Sequence, residues 1–171
     1  MAECIDLQRL PRRLGDLIGL KELNLSWCKW LEELPDGLGN LTGLKTLILQ
    51  NCKGLTGLPE RLWDLTGLTT LNLAECSGLT ELPDRLVDLV ELKELNLSWC
   101  KWLKAIPEGL GNLTGLKTLI LQNCKGLTGL PERLGDLTGL ETLDLRDCRS
   151  SLKGLPVLEY LTGLETLNLH L

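Results

Sequence analysis

Two tryptophan pairs in this chain each enclose a cysteine, in the segments Trp27-Cys28-Lys29-Trp30 and Trp99-Cys100-Lys101-Trp102. A thiol can chelate a metal, exchange electrons or attack a carbonyl, and each of these uses demands a particular spacing. Zinc is held by ligands in closely spaced pairs of the CxxC type that converge on one ion. A nucleophilic cysteine needs a base within hydrogen-bond reach, and the one histidine, His170, lies beside the carboxyl end. The cysteines meet neither requirement. They stand at Cys4, Cys28, Cys52, Cys76, Cys100, Cys124 and Cys148, each 24 residues from the next. All seven share one phase, which marks them as a structural ladder. No catalytic residue, metal ligand or cofactor is assigned.

Elements that repeat every 24 residues must position such a ladder. Prolines recur at the same interval from Pro11 through Pro35, Pro59, Pro83, Pro107 and Pro131, and Pro156 comes one place late. Within one unit, Leu44 to Gly67, the stretch "LKTLILQNC" alternates around Leu47 and Leu49 as a half-buried strand does. Leucines three or four apart then follow the proline, which predicts a helical or 3₁₀ return. "DLTGL" supplies a turn before the next strand. The column Asp16, Asn40, Asp64, Asp88, Asn112 and Asp136 is therefore expected to cap turns and not to bind a cation. A unit of this kind cannot bury its own leucines, so the units must stack.

The motif LxxLxLxxC runs from Leu20 to Cys28, Leu44 to Cys52, Leu68 to Cys76, Leu92 to Cys100, Leu116 to Cys124 and Leu140 to Cys148, and a seventh strand begins at Leu164. In this wording, and in the intervening "LPxxLGxLTGL" returns, the chain resembles the leucine-rich repeat family, and in particular its plant and protist intracellular members. The resemblance implies an α/β solenoid: right-handed, curved, with a parallel sheet on the concave face, short helical or 3₁₀ returns on the convex face and about seven repeats. It also implies that each thiol points inward and bonds a loop carbonyl, and that the concave face binds protein. We expect one domain, 1–171, without recognisable terminal caps, and weak self-association through the open ends.

Charge and hydropathy restrict the function further. Lys plus Arg number 18 against 23 Asp plus Glu, a net charge of -5. That balance opposes a dedicated nucleic-acid binder, which carries a basic face. No apolar run approaches the roughly 20 residues that span a bilayer, and the first residues lack the apolar segment of a secretory signal. A cytoplasmic location is expected, with no membrane partner. The sequons at Asn24, Asn40, Asn96 and Asn112 follow from the repeat.

Outward strand positions provide seven rows of three residues, a number comparable with the roughly 20–30 residues per side of an ordinary interface. Asn24, Ile48, Asn72, Asn96, Ile120, Asp144 and Arg146 are the candidate contacts there. Trp27 and Trp99 precede their cysteines, where other units carry Asn51, Glu75, Asn123 and Asp147. Trp30 and Trp102 lie two residues after, where other units carry glycine. These four tryptophans form two equivalent edge patches that either anchor a partner or pack on themselves and on Lys29 and Lys101. Trp63 replaces a return-loop glycine and is expected to form an apolar patch on the convex side with Val87. In the last unit an extra residue precedes Pro156 and one is missing after it, so the loop with Ser150, Ser151 and Gly154 should be irregular.

A non-enzymatic protein-interaction module, bound to a protein or peptide, is the function expected. An engineered or duplicated repeat scaffold, structural or self-assembling and without a natural ligand, is the alternative. Its support is that residues 20–68 reappear at 92–140 with five differences: Glu32/Lys104, Glu33/Ala105, Leu34/Ile106, Asp36/Glu108 and Trp63/Gly135.

Overall fold

Each unit spends only three residues as a regular strand. In the computed structural model, which describes residues 7–148 and 152–170, the strands are β1 (Glu22–Asn24), β2 (Thr46–Ile48), β3 (Thr70–Asn72), β4 (Glu94–Asn96), β5 (Thr118–Ile120), β6 (Thr142–Asp144) and β7 (Thr166–Asn168). They form one parallel sheet in chain order. Leu23 pairs with Leu47, Leu47 with Leu71 and so on to Leu167, so the sheet register is the sequence period itself.

The returns are 3₁₀ turns: Arg12–Asp16, Asp36–Asn40, Glu60–Asp64, Asp84–Asp88, Glu108–Asn112, Glu132–Asp136 and Leu155–Tyr160. Proline stands just before the first six, where its fixed φ suits the entry and its missing N–H costs no bond. Its carbonyl accepts the amide of the leucine three residues on, as Pro35 does from Leu38 at 2.9 Å. Between sheet and returns lies a continuous leucine core in which Leu44, Leu47, Leu49, Leu55, Leu62 and Leu65 are completely covered. Burying one such side chain is worth about 1.5–3 kcal/mol. At the last strand Leu167 and Leu169 are 41% and 46% exposed, whereas Leu143 and Leu145 one unit earlier are fully covered.

After each of the first six strands the chain turns a corner at a residue with left-handed backbone: Trp27, Asn51, Glu75, Trp99, Asn123 and Asp147, all with φ between 55° and 68°. The corner keeps the ladder bonded, since the Asn51 amide still donates to the Ala74 carbonyl of the next unit at 2.8 Å. It also swings the following cysteine inward.

Two sequence expectations change here. Trp63 makes no convex patch; it is fully buried, and among the described residues its indole N–H finds no acceptor. The reason lies in the spacing of the returns. At Gly111, in the same phase, a Cβ would fall 2.0 Å from the Arg133 carbonyl oxygen, so the neighbouring turns touch backbone to backbone. Where Trp63 and Val87 replace glycine, Glu60–Asp64 and Asp84–Asp88 approach least closely, and the indole fills the gap. Arg85 straps this junction from outside, reaching Asp88 at 2.8 Å, Asp64 at 3.0 Å and Glu60 at 3.2 Å.

The second change concerns the acidic column. Among the described residues its side chains do not cap the turns. Asp64, Asp88 and Asp136 instead pair with the arginine three residues earlier, at 3.3, 2.8 and 3.0 Å. In the final unit the expected irregularity falls partly on Ser150 and Ser151, which lie outside the described residues. Beyond them Lys153 pairs with Gly129, 24 residues back. Gly154 then takes a left-handed φ of 82°, leaving Leu152 buried and Leu155 half-buried.

Candidate functional site

The cysteines are a hydrogen-bond ladder. Each thiol donates to the carbonyl that follows the strand of the preceding unit: Cys52 to Leu25 at 3.2 Å, Cys76 to Leu49 at 3.1 Å, Cys100 to Leu73 at 3.2 Å, Cys124 to Leu97 at 3.1 Å and Cys148 to Leu121 at 3.1 Å. The same carbonyl also accepts the amide of its own unit's cysteine, for example Cys28 N–H to Leu25 at 3.3 Å. One oxygen therefore ties two units together. Burial first and the neighbouring thiols second push Cys124 up to about 12 and raise Cys76 and Cys100 further. A thiol kept protonated in this way is a poor nucleophile and a poor ligand. Cys28 is buried and unbridged like the others; Cys4 lies outside the described residues. Among the described residues no three His, Cys, Asp or Glu side chains are grouped to hold a metal ion.

The open sheet face carries the other candidates, and several are already engaged. The Oδ1 atoms of Asn24, Asn72, Asn96 and Asp144 accept the amide two residues on, from Ser26, Ala74, Ser98 and Arg146, at 2.9–3.1 Å. These side chains hold the strand exit in an Asx-type turn. Asp144 is only 5% exposed and meets the Arg146 guanidinium at 2.6 Å. Burial alone would raise that carboxyl; Arg146 outweighs it and holds Asp144 below the ordinary carboxylate range. Ile48 and Ile120 take the place of the asparagine and are half-buried. The face is thus largely self-satisfied.

One edge of the sheet is different. The four tryptophans divide into two kinds. Trp27 and Trp99 occupy the left-handed corner, the first half-buried and the second 40% exposed, each with a lysine over its ring, Lys29 Nζ 5.6 Å and Lys101 Nζ 5.1 Å from the ring centres. Trp30 and Trp102 remain open, 62% and 66% exposed. In the next unit Gly54 and Gly126 lie against the main chain of these residues, so no side chain arrives from that side to cover the indoles.

Trp102 stands between two hollows. The first, about 220 Å³, is lined by Lys53, Glu75, Ser77, Trp99, Lys101 and Trp102. The second, about 490 Å³ and shallower, is lined by Lys101, Trp102, Lys125, Gly126 and Cys148. Sequence reasoning found the tryptophans with Lys29 and Lys101 but missed Lys53 and Lys125, which share their edge. The signal was present, since Lys29, Lys53, Lys101 and Lys125 each follow a cysteine. Another hollow, about 320 Å³ on the convex side, is lined by Arg9, Arg12, Glu33 and Asp36, whose opposite charges balance.

A single parallel sheet with 3₁₀ returns, a leucine core and a thiol hydrogen bond to the preceding unit every 24 residues defines a stacked-repeat solenoid. The chain belongs to the leucine-rich repeat proteins: the profile described as a leucine-rich repeat region matches residues 3–124. No curated protein matches it. Among solved structures, a leucine-rich repeat protein of Leptospira interrogans superposes with a TM-score of 0.76 at 27% identity, over 96% of this chain and 46% of the other. The Arabidopsis receptor kinase HAESA, solved with the peptide hormone IDA and the co-receptor SERK1, is similar at TM-score 0.67 and 30% identity over 94% of this chain and 32% of its own. The functional domain of InlJ from Listeria monocytogenes, which includes a cysteine ladder, shares the fold at TM-score 0.75 and 24% identity, over 94% of this chain and 31% of the other. This chain spans less than half the length of each of these three. No helix among the described residues is long and apolar enough to cross a membrane.

Proposed function

We propose that this chain is a non-enzymatic protein-interaction module that presents its sheet face and its tryptophan edge to a protein or peptide. The observation that carries this reading is the pair Trp30 and Trp102, more than 60% exposed at equivalent places on a stack whose leucines are almost all covered. Holding so much apolar surface in water is unfavourable unless something covers it. Tryptophan is the residue type most enriched at binding hot spots. The stacked core fixes both indoles in advance, so little ordering entropy is lost on association. A leucine-rich repeat ectodomain of comparable fold is found with a peptide hormone in HAESA, which supports a peptide or protein as the class of partner. Unbridged buried thiols suit a reducing, cytoplasmic compartment.

The sheet-face candidates Asn24, Asn72, Asn96 and Asp144 contribute shape on this reading, because their acceptors already serve the backbone. Ile48 and Ile120 are the residues placed to add apolar contact, and Arg146 would contact a partner from its ion pair with Asp144. The test is affinity capture with the intact chain, with a Trp27, Trp30, Trp99 and Trp102 alanine variant as control. Partners lost with that variant and bound by direct titration with the purified chain support the proposal. A chain that captures nothing in either form favours the alternative of a duplicated scaffold, for which the near-identity of residues 20–68 and 92–140 speaks.

A further inference from the structure

The edge that carries the tryptophans is also the place where this acidic protein gathers positive charge. Lys29, Lys53, Lys101 and Lys125 lie in one column, one residue after each cysteine, and none of them forms an ion pair among the described residues. Lys29 and Lys101 lie over indoles instead. The arginines of the returns are neutralised, since Arg61, Arg85 and Arg133 pair with aspartates; in the column before the strands Lys117 meets Glu141 at 2.7 Å, whereas Lys21, Lys45 and Lys93 form no ion pair among the described residues. The lysine edge is a cationic strip without ion pairs on a chain of net charge -5, and the one that carries exposed indoles beside its lysines. Its one carboxylate in the middle, Glu75, is occupied by Asn51 at 2.8 Å and Gln50 at 3.3 Å.

We propose that this strip binds an extended acidic peptide, with the two exposed indoles as anchors for apolar side chains and the lysines as partners for its carboxylates. The proposal rests on the reading of the chain as an interaction module and names its partner's chemistry. Geometry sets the spacing. Trp30 and Trp102 are equivalent positions three units apart, and three steps of about 4.8 Å between parallel strands place them about 14 Å from one another. An extended chain advances about 3.3–3.4 Å per residue, so anchors separated by about four residues reach both indoles. Lys53 and Lys101 lie between and beside them. A nucleic acid would need a basic face broader than this four-lysine strip, and the oligothymidylate arm of the test distinguishes it.

The test uses fluorescence anisotropy with the full chain and labelled synthetic peptides. Each peptide carries two Leu-Asp pairs whose leucines are two, four or six residues apart. A parallel peptide has lysine for aspartate, and a labelled oligothymidylate is included. The four-residue spacing should bind at least tenfold more tightly than the others, and the lysine peptide should not bind. Affinity should fall as salt rises, because exposed charges are screened over roughly 10 Å at 0.1 M.

Trp102→Gly should weaken binding about thirtyfold, the loss typical of a hot-spot residue. That variant copies a residue the chain already uses at Gly126. Lys53→Glu is a second variant, remote from the core, and should weaken the acidic peptide while leaving unfolding unchanged. Binding indifferent to spacing, undiminished in both variants, or tighter for oligothymidylate would overturn the proposal. A captured protein partner lost on Arg146→Ala but retained with Trp102→Gly would overturn it too, while leaving the interaction module intact.

Discussion

The cysteine ladder should make this protein sensitive to alkali. Folded, Cys76, Cys100 and Cys124 keep their protons because a thiolate would be buried beside other thiols, and the Cys124 value is pushed up to about 12. In the unfolded chain the same thiols titrate near the ordinary 9.0. Above that pH the unfolded state has released protons that the folded state still holds. Stability is therefore fully present below pH 9 and is lost as pH rises toward the folded values.

Each thiol contributes about 1.4 kcal/mol per pH unit in this window. Three of them approach about 4 kcal/mol per unit once past pH 9, or about 5 kcal/mol between pH 9 and 10.5. Whole domains are stable by only about 5–15 kcal/mol. Urea titrations followed by circular dichroism should show the midpoint collapsing over that interval.

Cys100→Ala isolates the cause. It removes a buried thiol and its bond to Leu73, a loss of about 1.5–2.5 kcal/mol at pH 7.5. It also removes one third of the alkaline slope. The two stability curves should converge, and meet roughly one to two pH units above 9. Parallel curves from pH 7.5 to 10.5 would refute the reasoning.

Other consequences follow from the packing. Cys148, which lines the shallow hollow beside Trp102, should react first with a thiol reagent in the native protein, and the fully covered Cys76, Cys100 and Cys124 only as fast as the stack opens. Equal rates for all four would contradict the ladder. Trp63→Gly should cost about 2–3 kcal/mol, the loss of a buried tryptophan partly offset by removal of an unpaired N–H, as read from the urea midpoint. Gly111→Ala should destabilise by well over 1 kcal/mol because its Cβ meets the Arg133 carbonyl oxygen, while Gly57→Ala, with nothing within 4 Å, should be neutral or slightly stabilising. Trp99→Asn copies Asn123 and should raise stability by about 0.5–1 kcal/mol while weakening partner binding.

How far the sequence foretold this structure depended on whether one period explained a residue. The strand leucines and the sheet register follow from the 24-residue interval, because stacking carries one unit's geometry to the next, and the inward thiols were implied by the resemblance to leucine-rich repeats. Trp63 escaped because its phase is set by glycines that permit backbone contact. A large side chain there is accommodated by parting two returns, which no single unit reveals. The turn-forming bonds of the sheet-face asparagines were not foreseen for another reason. Asn72 has the same type and spacing whether or not it bonds the Ala74 amide, and only the backbone path after the strand brings that amide to its Oδ1. Lys29 and Lys101 stood out beside their tryptophans, but the column they form with Lys53 and Lys125 did not, since each of the latter alone reads as an ordinary solvated residue.

The corner residues connect fold and function most directly. Left-handed backbone is tolerated by asparagine and aspartate, and this chain uses Asn51, Asn123 and Asp147 there. Tryptophan gains nothing locally at φ 68° or 63°, where a bulky side chain costs on the order of 1 kcal/mol or more. Yet Trp27 and Trp99 hold that position, in the two units that also carry Trp30 and Trp102. The corner amides are satisfied as well in these units as elsewhere, with Trp99 N–H donating to Gln122 at 2.7 Å and Asn51 N–H to Ala74 at 2.8 Å, so the backbone would accept asparagine equally. What the tryptophan adds lies outside the stack: a ring beneath Lys101 and one wall of the hollow beside Trp102. A strained aromatic corner, its lysine and the exposed indole next to it thus form one unit of surface, built twice at a fixed spacing by the same repeat that builds the core.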